Sequence, residues 1–166
     1  MVCRRFEMEF CQQLLNTYIL DIYYDNLPIK FQKINEYDSI SVLLSNNSIL
    51  RVQCTLRILY NNQLFFLSND RFIDNDVKVS SKTISLFEYQ LQKLSFLTMN
   101  AKINDIKFTQ LGDIKLLTSN GYEFQILIDT RRTQCISYEN INFDTKMCLC
   151  VLCENGEIIG INKRWN

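Results

Sequence analysis

Two stretches of this chain read alike, and that likeness constrains the fold more than any other feature. Residues 40–57 are ISVLLSNNSILRVQCTLR, and residues 114–131 are IKLLTSNGYEFQILIDTR. Each holds an apolar alternating run, a Ser-Asn-Asn or Ser-Asn-Gly turn, a second alternating run and an arginine, Arg57 or Arg131. Alternation with a period of two marks a strand with one buried face. Asn120-Gly121 is the strongest short hairpin signal, because a type I′ turn needs positive φ at both central residues. Asn46-Asn47 is the next best pair, since Asn tolerates the left-handed region.

A strand candidate precedes each hairpin: YILDIYY at 18–24 and KINDIKF at 102–108. Each sets an Asp between isoleucines (Ile19, Asp21, Ile22; Ile103, Asp105, Ile106). A helix candidate precedes each strand. Phe6, Phe10 and Leu14 recur at helical spacing, with Cys11 and Leu15 beside them. Phe87, Leu91 and Leu94 do the same behind Ser85-x-x-Glu88, a capping box. The order helix, strand, hairpin therefore occurs twice, which is how a duplicated unit reads.

Residues 63–68 (QLFFLS) read as a short buried strand, and 147–161 as a C-terminal hairpin around Asn155-Gly156. Residues 69–84 read as a polar, exposed loop joining halves 1–70 and 85–166. No Pro-rich or Gly/Ser-rich linker divides the halves. The expected fold is α+β: a β-rich single domain over 1–166, two similar helix–strand–hairpin halves with antiparallel sheet, and a C-terminal hairpin.

Composition removes several function classes. Lys+Arg and Asp+Glu both number 18, and 47% of residues are hydrophobic, which is too apolar and too weakly charged for a disordered chain. Zero net charge offers no excess cation to displace counterions from nucleic acid, so a nucleic-acid partner is not expected. With no His, the Ser-His-Asp triad and His-ligated zinc are excluded within the chain. No apolar run of signal-peptide or membrane-span length appears, so a cytoplasmic protein with no membrane contact is expected. Seven cysteines, an odd number, read as reduced thiols rather than a disulfide framework. Seventeen asparagines against four glycines and one proline point to AT-rich coding, bacterial or phage.

The side chains that carry chemistry have mostly plain readings. Cys148, Cys150 and Cys153, with Cys135, supply four thiolates for zinc. Strand alternation puts Cys148 and Cys150 on one face and Cys153 on the other, which favours buried thiols. No cysteine has a neighbouring base to activate it. Asp70, Asp74 and Asp76 share a polar stretch without the glycine or spaced Glu of a Ca²⁺ loop, leaving a solvated loop or an acidic patch for a basic partner. Arg4-Arg5, Arg131-Arg132 and Lys163-Arg164 would bind phosphate only if they converge. Arg57 and Arg131 are expected to pair with carboxylates, Asp21 and Asp105 being the matching choices. Tyr18, Tyr23, Tyr24, Phe65 and Phe66 are dense, and adjacent aromatics on a strand face opposite ways. The exposed ones would mark a binding surface, unless both faces of the sheet are covered. Asp70, Asp74, Asp76, Tyr24, Arg131 and Arg132 are the expected partner contacts; no catalytic residue, cofactor or metal is expected.

Residues 15–23 (LNTYILDIY), the hairpin at 40–55 closed by Arg57, and residues 64–70 resemble the first half of small, uncharacterised bacterial proteins of the toxin-immunity kind. Residues 102–128, with Gly112-Asp113 opening a strand and a Ser-Asn-Gly hairpin, followed by Tyr138-Glu139, resemble their second half. The resemblance implies a non-enzymatic cytoplasmic protein that binds and neutralises another protein, an immunity partner of a bacterial toxin. Two other classes stay open: a phage-encoded inhibitor of host defence that binds a nuclease or a nucleotide signal, and a His-free metal-dependent hydrolase. The oligomeric state is not legible.

Overall fold

The computed structural model describes residues 4–25, 39–72, 76–79, 81–109, 112–128, 136–140, 142, 145–152 and 157–164. Helix α1 (Arg4–Leu14) leads into β1 (Ile19–Asp25), β2 (Ser39–Leu44), β3 (Ser48–Val52), β4 (Thr55–Tyr60) and β5 (Gln63–Leu67). A 3₁₀ turn (Ser68–Phe72) and a small hairpin, β6 (Asp76–Val79) and β7 (Lys82–Ser85), come next. Helix α2 (Leu86–Thr98) precedes β8 (Ile103–Phe108), β9 (Ile114–Thr118), β10 (Tyr122–Leu127), β11 (Ile136–Asn140), β12 (Thr145–Leu152) and β13 (Glu157–Arg164). The described chain is β-rich and antiparallel with two α-helices, as expected of an α+β protein.

The strands form two large sheets, ordered β1-β2-β3-β11-β12-β13 and β5-β4-β10-β9-β8, beside the small β6-β7 pair. Neither large sheet is built from one contiguous stretch of chain. β3 pairs with β11, and β10 pairs with β4, so each half of the sequence completes the sheet begun by the other. The inner faces meet in one apolar cluster, to which Val42, Leu50 and Tyr138 come from the first sheet and Ile58, Leu116 and Phe124 from the second. Phe10 of α1 and Leu94 of α2 are wholly buried in the same cluster.

The triplet β8-β9-β10 is laid out as β1-β2-β3 is. Ile22 faces Val42 and Val42 faces Leu50; likewise Ile106 faces Leu116 and Leu116 faces Phe124. The register slips between Ile19 and Asp21 in β1, and between Ile103 and Asp105 in β8. At each slip an Asp Oδ1 accepts the next residue's amide, Asp21 from Ile22 at 2.8 Å and Asp105 from Ile106 at 2.9 Å. The paired Ile-x-Asp-Ile pattern is therefore a β-bulge, with a carboxylate occupying a donor that the disturbed ladder frees. The correspondence runs from Ile40 and Ile114 to Val52 and Ile126 and then stops. Two residues, Gln53 and Cys54, link β3 to β4, whereas a longer link joins β10 to β11. The register thus matches Arg57, opposite Gln125, with Ser137, opposite Arg51. Arg131, the expected counterpart of Arg57, lies outside the described residues.

Each helix runs into a turn with asparagine at positive φ, Asn16 at 65° and Asn100 at 62°. Met99 at φ −56°, ψ 131° and Asn100 form the centre of a type II turn closed by Ala101 N–H on Thr98 O at 2.9 Å. At α2 the capping box is present: Ser85 Oγ accepts the Glu88 amide at 3.2 Å and Glu88 Oε2 accepts the Ser85 amide at 3.1 Å.

Several local expectations are corrected. Both Ser-Asn hairpins turn through three residues: Leu44 pairs with Ser48, and positive φ falls on Asn47 (57°) and Gly121 (87°) alone. The serine is held in the turn from outside. Ser45 Oγ accepts Tyr18 N–H and Ser119 Oγ accepts Lys102 N–H, both at 3.0 Å. The two-residue turn with positive φ at both positions is instead Asn61-Asn62 (49° and 62°), between β4 and β5. β5 is an edge strand whose Leu64 is 57% exposed, not a buried strand; only Phe66 is in the core. Residues 69–84, expected as a loop, contain most of the 3₁₀ turn and the β6-β7 hairpin. The C-terminal hairpin pairs as expected, Cys148 opposite Ile161 and Leu152 opposite Glu157. Its turn, with Cys153 and Asn155-Gly156, lies outside the described residues.

Candidate binding surface

Three of the expected contact residues fall on elements that meet α2. Tyr24 of β1 packs edge-on against Phe87, with ring centroids 5.7 Å apart at 85°. Asp70 sits half-buried in the 3₁₀ turn and Asp76 exposed on β6, and both elements touch α2. Asp74, Arg131 and Arg132 lie outside the described residues, as does Cys135. Tyr24 is thus a packing residue at the α2 start, because its ring fills the space between β1 and Phe87.

The surface of most interest is at the other end of α2, where the halves cross. Asn16 N–H donates to Ile103 O at 2.9 Å, and Asn100 N–H donates to Ile19 O at 2.7 Å. Ile19 N–H donates to Ala101 O and Ile103 N–H to Thr17 O, both at 2.9 Å. Tyr18 and Lys102 form the antiparallel bridge at the centre. Ser95 Oγ of α2 donates to Asp21 Oδ1 at 2.6 Å and accepts Ile22 N–H at 3.0 Å, tying the helix to the β1 bulge. On the segments that these bonds join, Leu15, Tyr18, Leu20, Phe96 and Met99 are each exposed, Phe96 at 73%. Exposed apolar and aromatic side chains on a bonded support are candidates for protein contact.

Phe96 was not among the expected contacts. The signal for it is phase: the buried positions of α2 are Phe87, Leu91, Leu94 and Thr98, and an aromatic at 96 falls off that stripe.

The charged groups on the outer sheet faces serve structure. Arg51 meets Asp25 at 3.6 Å and Glu139 at 3.0 Å. Arg57 Nε donates to Gln125 Oε1 at 2.7 Å, and Gln125 in turn donates to Glu123. The expected Arg57–Asp21 pair is not made, because the bulge turns Asp21 toward Ser95 while Arg57 lies across from β10. Asp105 pairs with Lys107 at 3.0 Å. Cys11 of α1 has its thiol pushed above its ordinary pKa by burial, then by Glu7 and Asp105. A thiol held protonated is a poor nucleophile. Among the described residues no three His, Cys, Asp or Glu side chains gather to hold a metal, and no helix is long and apolar enough to cross a membrane.

Tyr122 supplies a pH prediction. Its ring stacks on Tyr60 at 4.7 Å and meets Phe65 edge-on at 5.5 Å. Burial first, and then the Tyr60 phenolate, raise its pKa above 10.0. Above pH 10.0 the unfolded chain releases this proton while the folded chain keeps it, so stability is full below that pH and falls as pH rises beyond it. Urea midpoints should decline above that point, and Tyr122→Phe should flatten the decline; an unchanged slope in the variant would remove Tyr122 as its source.

Comparison with protein-family models, with curated proteins and with solved structures finds no match for the chain.

Proposed function

We propose that this chain is a non-enzymatic cytoplasmic binding protein that neutralises a partner protein, in the manner of an immunity protein for a bacterial toxin. The observation that carries the reading is the exposure of Phe96 on α2, with Leu15, Tyr18, Leu20 and Met99 also exposed on the segments around the crossing. An aromatic left 73% exposed on a packed helix has no role in the core, and aromatic anchors dominate protein contacts. Occlusion by this surface needs no reactive group. We also infer that the two halves are copies of one unit; the matching bulges, asparagine turns and serine anchors support this.

The test is co-expression with a toxic product encoded beside the gene. The intact chain should restore growth. Phe96→Asp with Tyr18→Asp should abolish protection while changing stability by no more than about 0.5 kcal/mol per site, as surface changes do. Absence of protection by the intact chain, or full protection by the double variant, would defeat the proposal.

A further inference from the structure

The edges of the two large sheets are β1 and β13 in one, β5 and β8 in the other. Three of these edges are bulged. The extra residue is Leu20 in β1, Phe65 in β5 and Asn104 in β8, read from the register slips. Bulges on edge strands bend the free row of backbone donors and acceptors away from other strands, a common guard against edge-to-edge pairing. β13 has no such slip: eight consecutive residues, Glu157 to Arg164, pair in register with β12. No strand pairs with its other side among the described residues.

The order of residues along β13 is self-complementary. It reads Glu-Ile-Ile-Gly-Ile-Asn-Lys-Arg, acidic at one end, basic at the other, with Gly160 near the middle. A two-fold antiparallel pairing keeps each residue on its own face, so its axis passes through a residue; centred on Gly160 it sets Glu157 opposite Lys163 of the second copy, and does so twice by symmetry. Ile159 then stands opposite Ile161 and Ile158 opposite Asn162, with the two Gly160 residues facing each other at the axis. Opposite charges directly across from each other favour a strand pair and like charges oppose it. A glycine inside a strand often marks a close approach of another backbone. We propose that this chain forms a two-fold dimer through β13, joining the two six-stranded sheets into one continuous sheet of twelve strands. Lys163 of the Lys163-Arg164 doublet then sets strand register rather than binding phosphate. The dimer is independent of what the Phe96 surface binds.

Sedimentation equilibrium from about 1 μM to about 100 μM, a range that brackets weak and stable interfaces, tests this. The intact chain should reach twice the monomer mass of 19.7 kDa. Glu157→Lys alone, or Lys163→Glu alone, should weaken the dimer by about tenfold or more, since each change alters both symmetric pairs. The two changes together restore opposite charges and should return the dissociation constant to within about threefold of the original. A chain that stays monomeric throughout would overturn the proposal. So would a dimer indifferent to the single reversals, or single effects that add in the double variant.

Discussion

Phe10→Ala is expected to cost about 3–5 kcal/mol of folding stability, the range for truncating a buried aromatic. Phe10 is wholly buried, and its ring meets Phe108 of β8 edge-on, with centroids 5.9 Å apart at 76°. That contact fastens α1 to a strand from the other half of the sequence. A domain of this size has only about 5–15 kcal/mol of stability in total. The substitution therefore removes a large share of it, read as a drop in the urea midpoint. Leu94→Ala, at the matching place in α2, should cost about 2–5 kcal/mol by the same mechanism. Met8→Ala, on the same helix as Phe10 but 62% exposed, should change stability by about 0.5 kcal/mol or less. Equal effects at positions 8 and 10 would contradict the burial of Phe10.

Splitting the chain should have a still larger effect. Fragments 1–80 and 81–166 are each expected to show no cooperative unfolding alone, and to recover it as a one-to-one complex when mixed. The first fragment holds β3 without β11 and β4 without β10. It also lacks Ile103 O and Ala101 O, which accept from Asn16 and Ile19. Strands stripped of one partner and of their core leave backbone groups unpaired beside exposed apolar side chains. Two halves that merely packed side by side would each keep their sheets and melt cooperatively. Circular dichroism and calorimetry of the separate fragments distinguish the two cases.

Much of the local structure is legible in the residues, because it depends on short-range chemistry. The capping box at Ser85 and Glu88 marks the start of α2, and alternation marks β2, β3, β9 and β10. The turn type is not legible, because Ser45 and Ser119 are drawn into the loops by amides of Tyr18 and Lys102, each far away in sequence. The bulges hide in the Ile-x-Asp-Ile pattern, where alternation alone predicts a regular strand. The pairing of β3 with β11 and of β4 with β10 is a tertiary choice, and no local propensity reports it. For the same reason Arg57 finds Gln125 rather than Asp21. The candidate surface is legible only in part: Tyr18 is among the noted aromatics, whereas Phe96 emerges once the buried stripe of α2 is known.

The claim on which the rest depends is that the halves interlock at the Tyr18–Lys102 bridge. The flanking bonds, Ile19 N–H to Ala101 O and Ile103 N–H to Thr17 O, make Tyr18 and Lys102 a non-hydrogen-bonded antiparallel pair. In such a pair the Cα atoms stand only about 4.5 Å apart and the α-protons point at each other. Nuclear magnetic resonance of the intact chain should therefore show a strong Overhauser effect between the α-protons of Tyr18 and Lys102, with slow exchange of the Ile19 and Ile103 amides. No such cross-peak, together with fast exchange of both amides, would contradict the account.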